Sequence, residues 1–170
     1  MWPVNDGSPV RDSENKRVGE FAYAVREGPM SGADFALVRL RSGVKADPAM
    51  CHFGGPTGTN DDITSDPVVL HWFGHGGIVG WEPTTDTNTV PARSAVASEG
   101  LPDPDFARAT GPAFFGDSGS GVISDDGRAV GVATTLQFGR HTMGITRLTP
   151  QLERAEEMLG IRLKLQTAPY

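Results

Sequence analysis

The 22 glycines and 13 prolines of this 170-residue chain are spread along its whole length. Glycine makes a helix entropically costly, and proline removes a backbone donor and clashes with the preceding turn. Few stretches between them are long enough for a sustained helix. Short strands joined by turns suit such a backbone better, so the expected class is all-β.

The hydrophobic pattern gives those strands their places. Val18, Phe21, Tyr23 and Val25 lie largely in alternation, as in a half-buried strand. Asp34-Phe35-Ala36-Leu37-Val38-Arg39-Leu40 is a short apolar run that ends at Ser42-Gly43, which favours a buried strand over a helix. Further strands are predicted near 50–53, 68–73, 78–81, 89–97, 119–123, 128–136 and 142–147. The segment before Val10 reads as short and turn-rich, and Asp12 to Lys16 as a polar turn. Ser124-Asp125-Asp126-Gly127 signals a hairpin turn. One helix is predicted over 150–159: Thr149 caps it, Pro150 suits its first position, and Gly160 stops it. Leu152, Ala155 and Leu159 would form its docking face. Regular strand-turn spacing of this kind suggests a barrel or a sandwich.

Composition narrows the partners. A net charge of -6 disfavours a nucleic-acid binder, which needs clustered Lys and Arg against phosphate. No run approaches the ~18 apolar residues of a membrane span. The first residues, Met1-Trp2-Pro3-Val4-Asn5-Asp6-Gly7, lack the basic-plus-apolar pattern of a signal peptide. Cys51 is the single cysteine. It reads either as a small buried apolar residue or as half of a disulfide with a partner outside the chain.

Gly116-Asp117-Ser118-Gly119-Ser120-Gly121-Val122 is the stretch most suited to chemistry. A serine nucleophile needs an exposed hydroxyl beside backbone N–H groups aimed at a developing oxyanion, and glycines permit that approach. The same composition also suits a plain surface turn. It is not the G-x-S-x-G elbow of α/β-hydrolases, because Ser120 stands where that pattern needs glycine.

This heptad resembles the nucleophile motif of the chymotrypsin-like (trypsin-like) serine proteases. Asp34-Phe35-Ala36-Leu37-Val38 is similar to that family's acid motif, an Asp followed by an apolar strand. Gly131-Val132-Ala133-Thr134-Thr135 stands where the family has the strand bordering the substrate pocket, and Phe53-Gly54-Gly55-Pro56-Thr57-Gly58 resembles a glycine-rich turn of bacterial members. The resemblance runs from about Val18 to Leu165 and keeps the Asp-then-Ser order.

It implies a double β-barrel whose first barrel is incomplete, with a remnant over 1–45, the second barrel and closing helix over 46–170, and a C-terminal α-helix. It implies Ser118 as nucleophile, Asp34 as the acid of the triad, and Gly116 and Ser118 as donors of the oxyanion hole. Asp117 would hold the loop through a buried ion pair with a partner the sequence does not name. Pro112, Ala113, Phe114, Phe115, Thr134, Thr135 and Leu136 would line the substrate pocket. No acidic residue lies in 112–115, so uncharged side chains are expected at the cleaved position. The implied substrate is a protein or peptide, with no cofactor and no metal, and the implied location is extracellular.

The chain departs from the family in one respect. The family order is His, Asp, Ser, yet residues 1–33 contain no histidine; His52, His71, His75 and His141 all follow Asp34. Without a base a serine hydroxyl is a poor nucleophile. One reading is an N-terminal truncation that removed a histidine, a partner for Cys51 and a signal peptide together, leaving an inactive and aggregation-prone chain. The alternative is a pseudoprotease that binds peptides or proteins. A metal-dependent β-protein using His71 and His75 is a third reading, although a strand and turn with hydrogen-bonded histidines suits 71–75 better. Cys51 and His52 would point to opposite faces of a strand. His141 with Asp125 or Asp126 would give a triad order foreign to this family. Asn60-Asp61-Asp62 reads as a solvated loop before it reads as a calcium site.

Overall fold

A computed structural model of the chain describes residues 6–28, 32–61, 68–74, 76, 92–97, 103–111, 113–137 and 142–168. The alternating segment near Val18 forms β2 (Arg17–Arg26). It pairs antiparallel on one side with the short β1 (Pro9–Arg11) and on the other with β3 (Asp34–Leu40), making a three-stranded sheet. The Asp12 carboxylate accepts the Glu14 and Lys16 N–H groups at the β1–β2 turn, where Asn15 takes φ 65°. An Asp side chain satisfying its own turn in this way is why the polar stretch turns.

The remaining strands close a barrel. They are β4 (Val69–Phe73), β5 (Ala92–Ala97), β6 (Phe106–Thr110), β7 (Gly121–Ser124), β8 (Ala129–Gln137) and β9 (Thr142–Arg147), in the order β4-β5-β6-β9-β8-β7. All six pairings are antiparallel, and β7 returns to pair with β4. A fourth strand lying beside the first is the Greek-key arrangement, and closure leaves the barrel no free edge. Leu70, Trp72, Ala95, Ala109, Val122 and Ile145 belong to its buried interior. A wide indole set among alanines suits the small interior.

Most strands follow their sequence patterns, but the short β1 occupies a stretch that reads as turn-rich, and two further departures follow. Residues 51–53 form a turn closed by a Met50–Gly54 bridge, so the strand predicted at 50–53 is absent, and Cys51 is exposed instead of buried. His52 has φ 73°, which no strand residue adopts, so Cys51 and His52 do not alternate across a sheet. β6 had no prediction, because Phe106-Ala107-Arg108-Ala109-Thr110 buries alanines that carry little hydrophobic signal. The strand predicted at 78–81 lies outside the described residues.

α1 (Leu148–Leu159) follows directly on β9. It starts two residues before Pro150, with Arg147 at its N-cap and no side-chain cap, so Thr149 does not cap it. Gly160 ends it in the left-handed conformation, as its position suggests. The face against the body is centred on Gln151 and Ala155, both fully buried; Leu152 and Leu159 are half-buried at its margins. Gln151 Nε2 donates to the buried Gly32 carbonyl at 2.9 Å. Arg154 pairs with Asp105 ahead of β6. The helix therefore ties the barrel to the loop that leads into β3. Replacing Gln151 with leucine orphans the Gly32 carbonyl but also removes the buried Gln151 Oε1, unpartnered among the described residues, so a loss of about 1 kcal/mol is expected from the urea midpoint.

Candidate active site

Asp34 opens β3, opposite Arg26 at the end of β2. Ser118 lies in the loop between β6 and β7 and is exposed. Both line one cleft of about 530 Å³ between the three-stranded sheet and the barrel. Phe21, Val25 and Phe35 line it from the sheet; Gly119, Val132 and Thr134 line it from the barrel. Arg26 and Asp34 are its charged groups.

The Ser118 loop is anchored on both sides. Downstream, Gly119 N–H donates to the Ala133 carbonyl and Ala133 N–H to the Ser120 carbonyl, fixing the loop to β8. Upstream, the Asp117 carboxylate turns inward and is buried. It accepts the Gly76 N–H at 2.8 Å, the Phe114 N–H at 3.0 Å and the Trp72 indole N–H at 3.3 Å. Its ion-pair partner is Arg93 on β5, with Nε 3.3 Å from Oδ2 and side chains 4% and 3% exposed. That approach is off-axis for a hydrogen bond, so Nε contributes mainly as charge. Arg93 also donates to the Gly76 carbonyl at 2.8 Å and lies 4.4 Å over the Phe114 ring. Burial pushes the guanidinium below its usual value, and the Asp117 charge opposes that shift.

With Asp117 turned in, Ser118 is turned out. Gly116, at φ 95°, makes the reversal that only glycine adopts at low cost. Gly76 is needed for a different reason: a Cβ there would meet Asp117 Oδ1 at 2.5 Å and the Phe115 carbonyl at 2.6 Å. Among the described residues, neither the Gly116 nor the Ser118 N–H has a hydrogen-bond acceptor in the protein. Two free donors flanking an exposed hydroxyl are the parts an oxyanion site requires.

Beside Ser118 opens a second, smaller cavity of about 80 Å³. Ala113, Phe114, Phe115, Thr134, Thr135 and Leu136 all line it, together with Asp117 and Met143. Pro112, the remaining residue expected there, lies outside the described residues. A bulge in β8 sets this wall: Ala133 faces Ile145 and Thr135 faces Gly144, leaving Thr134 as the extra residue. Bulges of this kind re-aim a side chain, and Thr134 borders both cavities.

The histidines are placed as follows. His71 Nδ1 lies 2.7 Å from Ser94 Oγ across the β4–β5 pair, and its ring stacks on Phe53 at 5.0 Å. His52 is exposed beside Phe53. His75 and His141 lie outside the described residues. Among the described residues no histidine lines the cleft, and no group of His, Cys, Asp and Glu could hold a metal ion. Asn60 is buried and donates to Ser124 Oγ at 3.0 Å, and Asp62 lies outside the described residues. Asp125 is exposed, and Asp126 pairs with Arg128 at the hairpin turn.

Arg93, Trp72 and Gly76 are the site's unforeseen members. The sequence does carry a signal for Arg93: it shares strand parity with the inward-facing Ala95, and a cation on an inward position calls for a buried anion.

No family model matches the chain, and no curated protein matches it.

Proposed function

We propose that this chain is a serine endopeptidase of the chymotrypsin-like kind, with β1–β3 as part of a first barrel and the closed six-stranded barrel as the second. One observation carries the reading: Asp34 and Ser118, distant in sequence, line the same cleft. In this reaction Ser118 Oγ attacks the peptide carbonyl carbon. The Gly116 and Ser118 N–H groups stabilise the oxyanion, the C–N bond breaks, and water then hydrolyses the acyl-enzyme. The proton of Oγ must pass through a base to the leaving amine, and Asp34 would orient that base. Secretion belongs to the same proposal. The test is a fluorophosphonate probe, which should modify Ser118 and no other serine; labelling that persists in Ser118→Ala would move the nucleophile elsewhere.

The smaller cavity sets the preference at the cleaved position. It is small, and its carboxylate, Asp117, is committed to Arg93. Cleavage is expected after small uncharged side chains, as read from products of a peptide library. A competent form cutting only after Lys or Arg would contradict this assignment.

A pseudoprotease that binds peptides is the second reading. The absence of a cleft histidine among the described residues favours it. Peptide binding with no labelling of Ser118 under any condition would decide for it.

A further inference from the structure

We propose that Gln151 is a positioning residue for Asp34: through the Gly32 carbonyl, helix α1 sets where that carboxylate enters the cleft. The inference rests on the reading of Asp34 as the acid of the site. Asp34 and Arg26 form the last registered pair of the β2–β3 ladder. A strand end held by its ladder alone frays, so the carboxylate needs support from the loop before it. Three contacts supply that support. Glu27 N–H donates to the Ala33 carbonyl at 2.8 Å, closing the hairpin one residue before Asp34. Gln151 Nε2 donates to the buried Gly32 carbonyl at 2.9 Å. Gly32, at φ 74°, also lies so close to Asp105 that a Cβ there would meet Asp105 Cβ at 2.5 Å. Asp105 is held by the helix and its first turn: its carboxylate pairs with Arg154, and its carbonyl accepts the Arg147 N–H at 2.9 Å. The helix thus grips the loop directly through Gln151 and indirectly through Asp105.

Two residues separate Gly32 from Asp34, at most about 7 Å of chain, so a shift at the carbonyl reaches the cleft with little slack. The chemistry of Gln151 suits placement better than it suits stability. Its side chain is fully buried, and only Nε2 is used; Oε1 has no partner among the described residues. A methionine of similar length would fill the same space without an orphan oxygen, but it cannot hold a carbonyl. Without Nε2 the Gly32 carbonyl is a buried acceptor, and the backbone moves toward another donor or toward water. The expected signature is a small change in stability with a large change in rate. A residue that only braces the fold would lower stability and leave the rate of the folded protein alone.

The experiment is a double-mutant cycle on the full chain, read by the rate of Ser118 labelling with a fluorophosphonate. Gln151→Met should lower that rate by about tenfold to a hundredfold, the scale of a misplacement of about 1 Å at a reacting site. In an Asp34→Ala background the same change should alter the rate by less than about twofold, because nothing remains for Gln151 to place. Gly32→Ala pushes the same loop off Asp105 and should show the same dependence on Asp34. Glu157→Gly is the control: it weakens α1 at an exposed position and keeps the Gln151 contact, so the rate should not change. The second readout is the carboxyl carbon signal of Asp34 by NMR, which needs no reactive serine. It should move in Gln151→Met and stay in place in Glu157→Gly.

An unmoved Asp34 signal in Gln151→Met would overturn the proposal. So would a fall in rate of equal size with and without the Asp34 carboxylate, or a fall of that size in Glu157→Gly, since each makes Gln151 a general brace. Asp34→Ala labelling as fast as the parent would instead overturn the reading of Asp34 as the acid. If the parent shows no labelling at Ser118, the nucleophile reading fails, and the Asp34 signal still decides whether Gln151 places the carboxylate.

Discussion

Asp117→Ala is expected to destabilise the fold by about 3–5 kcal/mol, because it removes the carboxylate that pairs with the buried Arg93 cation. For a chain of this size that corresponds to roughly 10 °C in Tm. Three donors lose their acceptor in the same step: the Gly76 and Phe114 N–H groups and the Trp72 indole. The cost is local in origin but spreads, since those groups belong to β4, the loop after it and the Ser118 loop. Adding Arg93→Met should recover part of the loss, because a buried pair replaced by apolar groups is far less costly than a buried orphan charge. Asp117→Asn should fall between, keeping an acceptor while losing the charge. Thermal melts of the three variants and the parent check the series. A loss under about 1 kcal/mol for Asp117→Ala would mean that the carboxylate is not held as described.

The second large effect is expected on reactivity. Gly116→Ala puts a Cβ at φ 95°, outside the regions an alanine adopts at low cost, and within 3.1 Å of Gly76 Cα. Backbone strain of about 1–3 kcal/mol follows if the conformation is kept. Should it relax instead, the Gly116 N–H swings away from Ser118 and one donor of the proposed oxyanion site is lost. Removing one such donor lowers turnover by about 10²–10³. The expected result is therefore a fall of that size in the Ser118 labelling rate, with only a modest drop in Tm. Equal labelling of the variant and the parent would remove Gly116 from the oxyanion site.

These two residues show what the sequence made legible. Gly116 through Gly121 announced a tight loop with an exposed serine because glycine at those spacings has a direct steric meaning. The strand at Asp34–Leu40 was readable from its short apolar run, and with it the place of Asp34 at a strand start. Arg93 was not recognised, since the pairing of an inward-facing cation with Asp117 depends on β4 and β5 standing next to the Ser118 loop in space. Local pattern does not report such neighbours. β6 escaped for a related reason: its alanines become core only because Trp72 and Met143 fill the barrel around them. Gln151 reads as polar surface by type, yet it is buried because a single backbone carbonyl, that of Gly32, faces it. The turn at 51–53 went the other way. Met50, Cys51 and Phe53 supply apolar content, but the left-handed backbone at His52 breaks the strand they suggest.

The central claim, that Ser118 is a nucleophile presented to an oxyanion site beside Asp34, is tested most directly by a crystal structure of the chain after reaction with a fluorophosphonate. The account predicts one covalent bond, from Ser118 Oγ to phosphorus. The phosphonyl oxygen should accept hydrogen bonds from the Gly116 and Ser118 N–H groups, with the probe's substituent lying in the cleft bordered by Thr134 and Asp34. An adduct on any other residue, or one at Ser118 whose phosphonyl oxygen points to solvent away from both N–H groups, would contradict it.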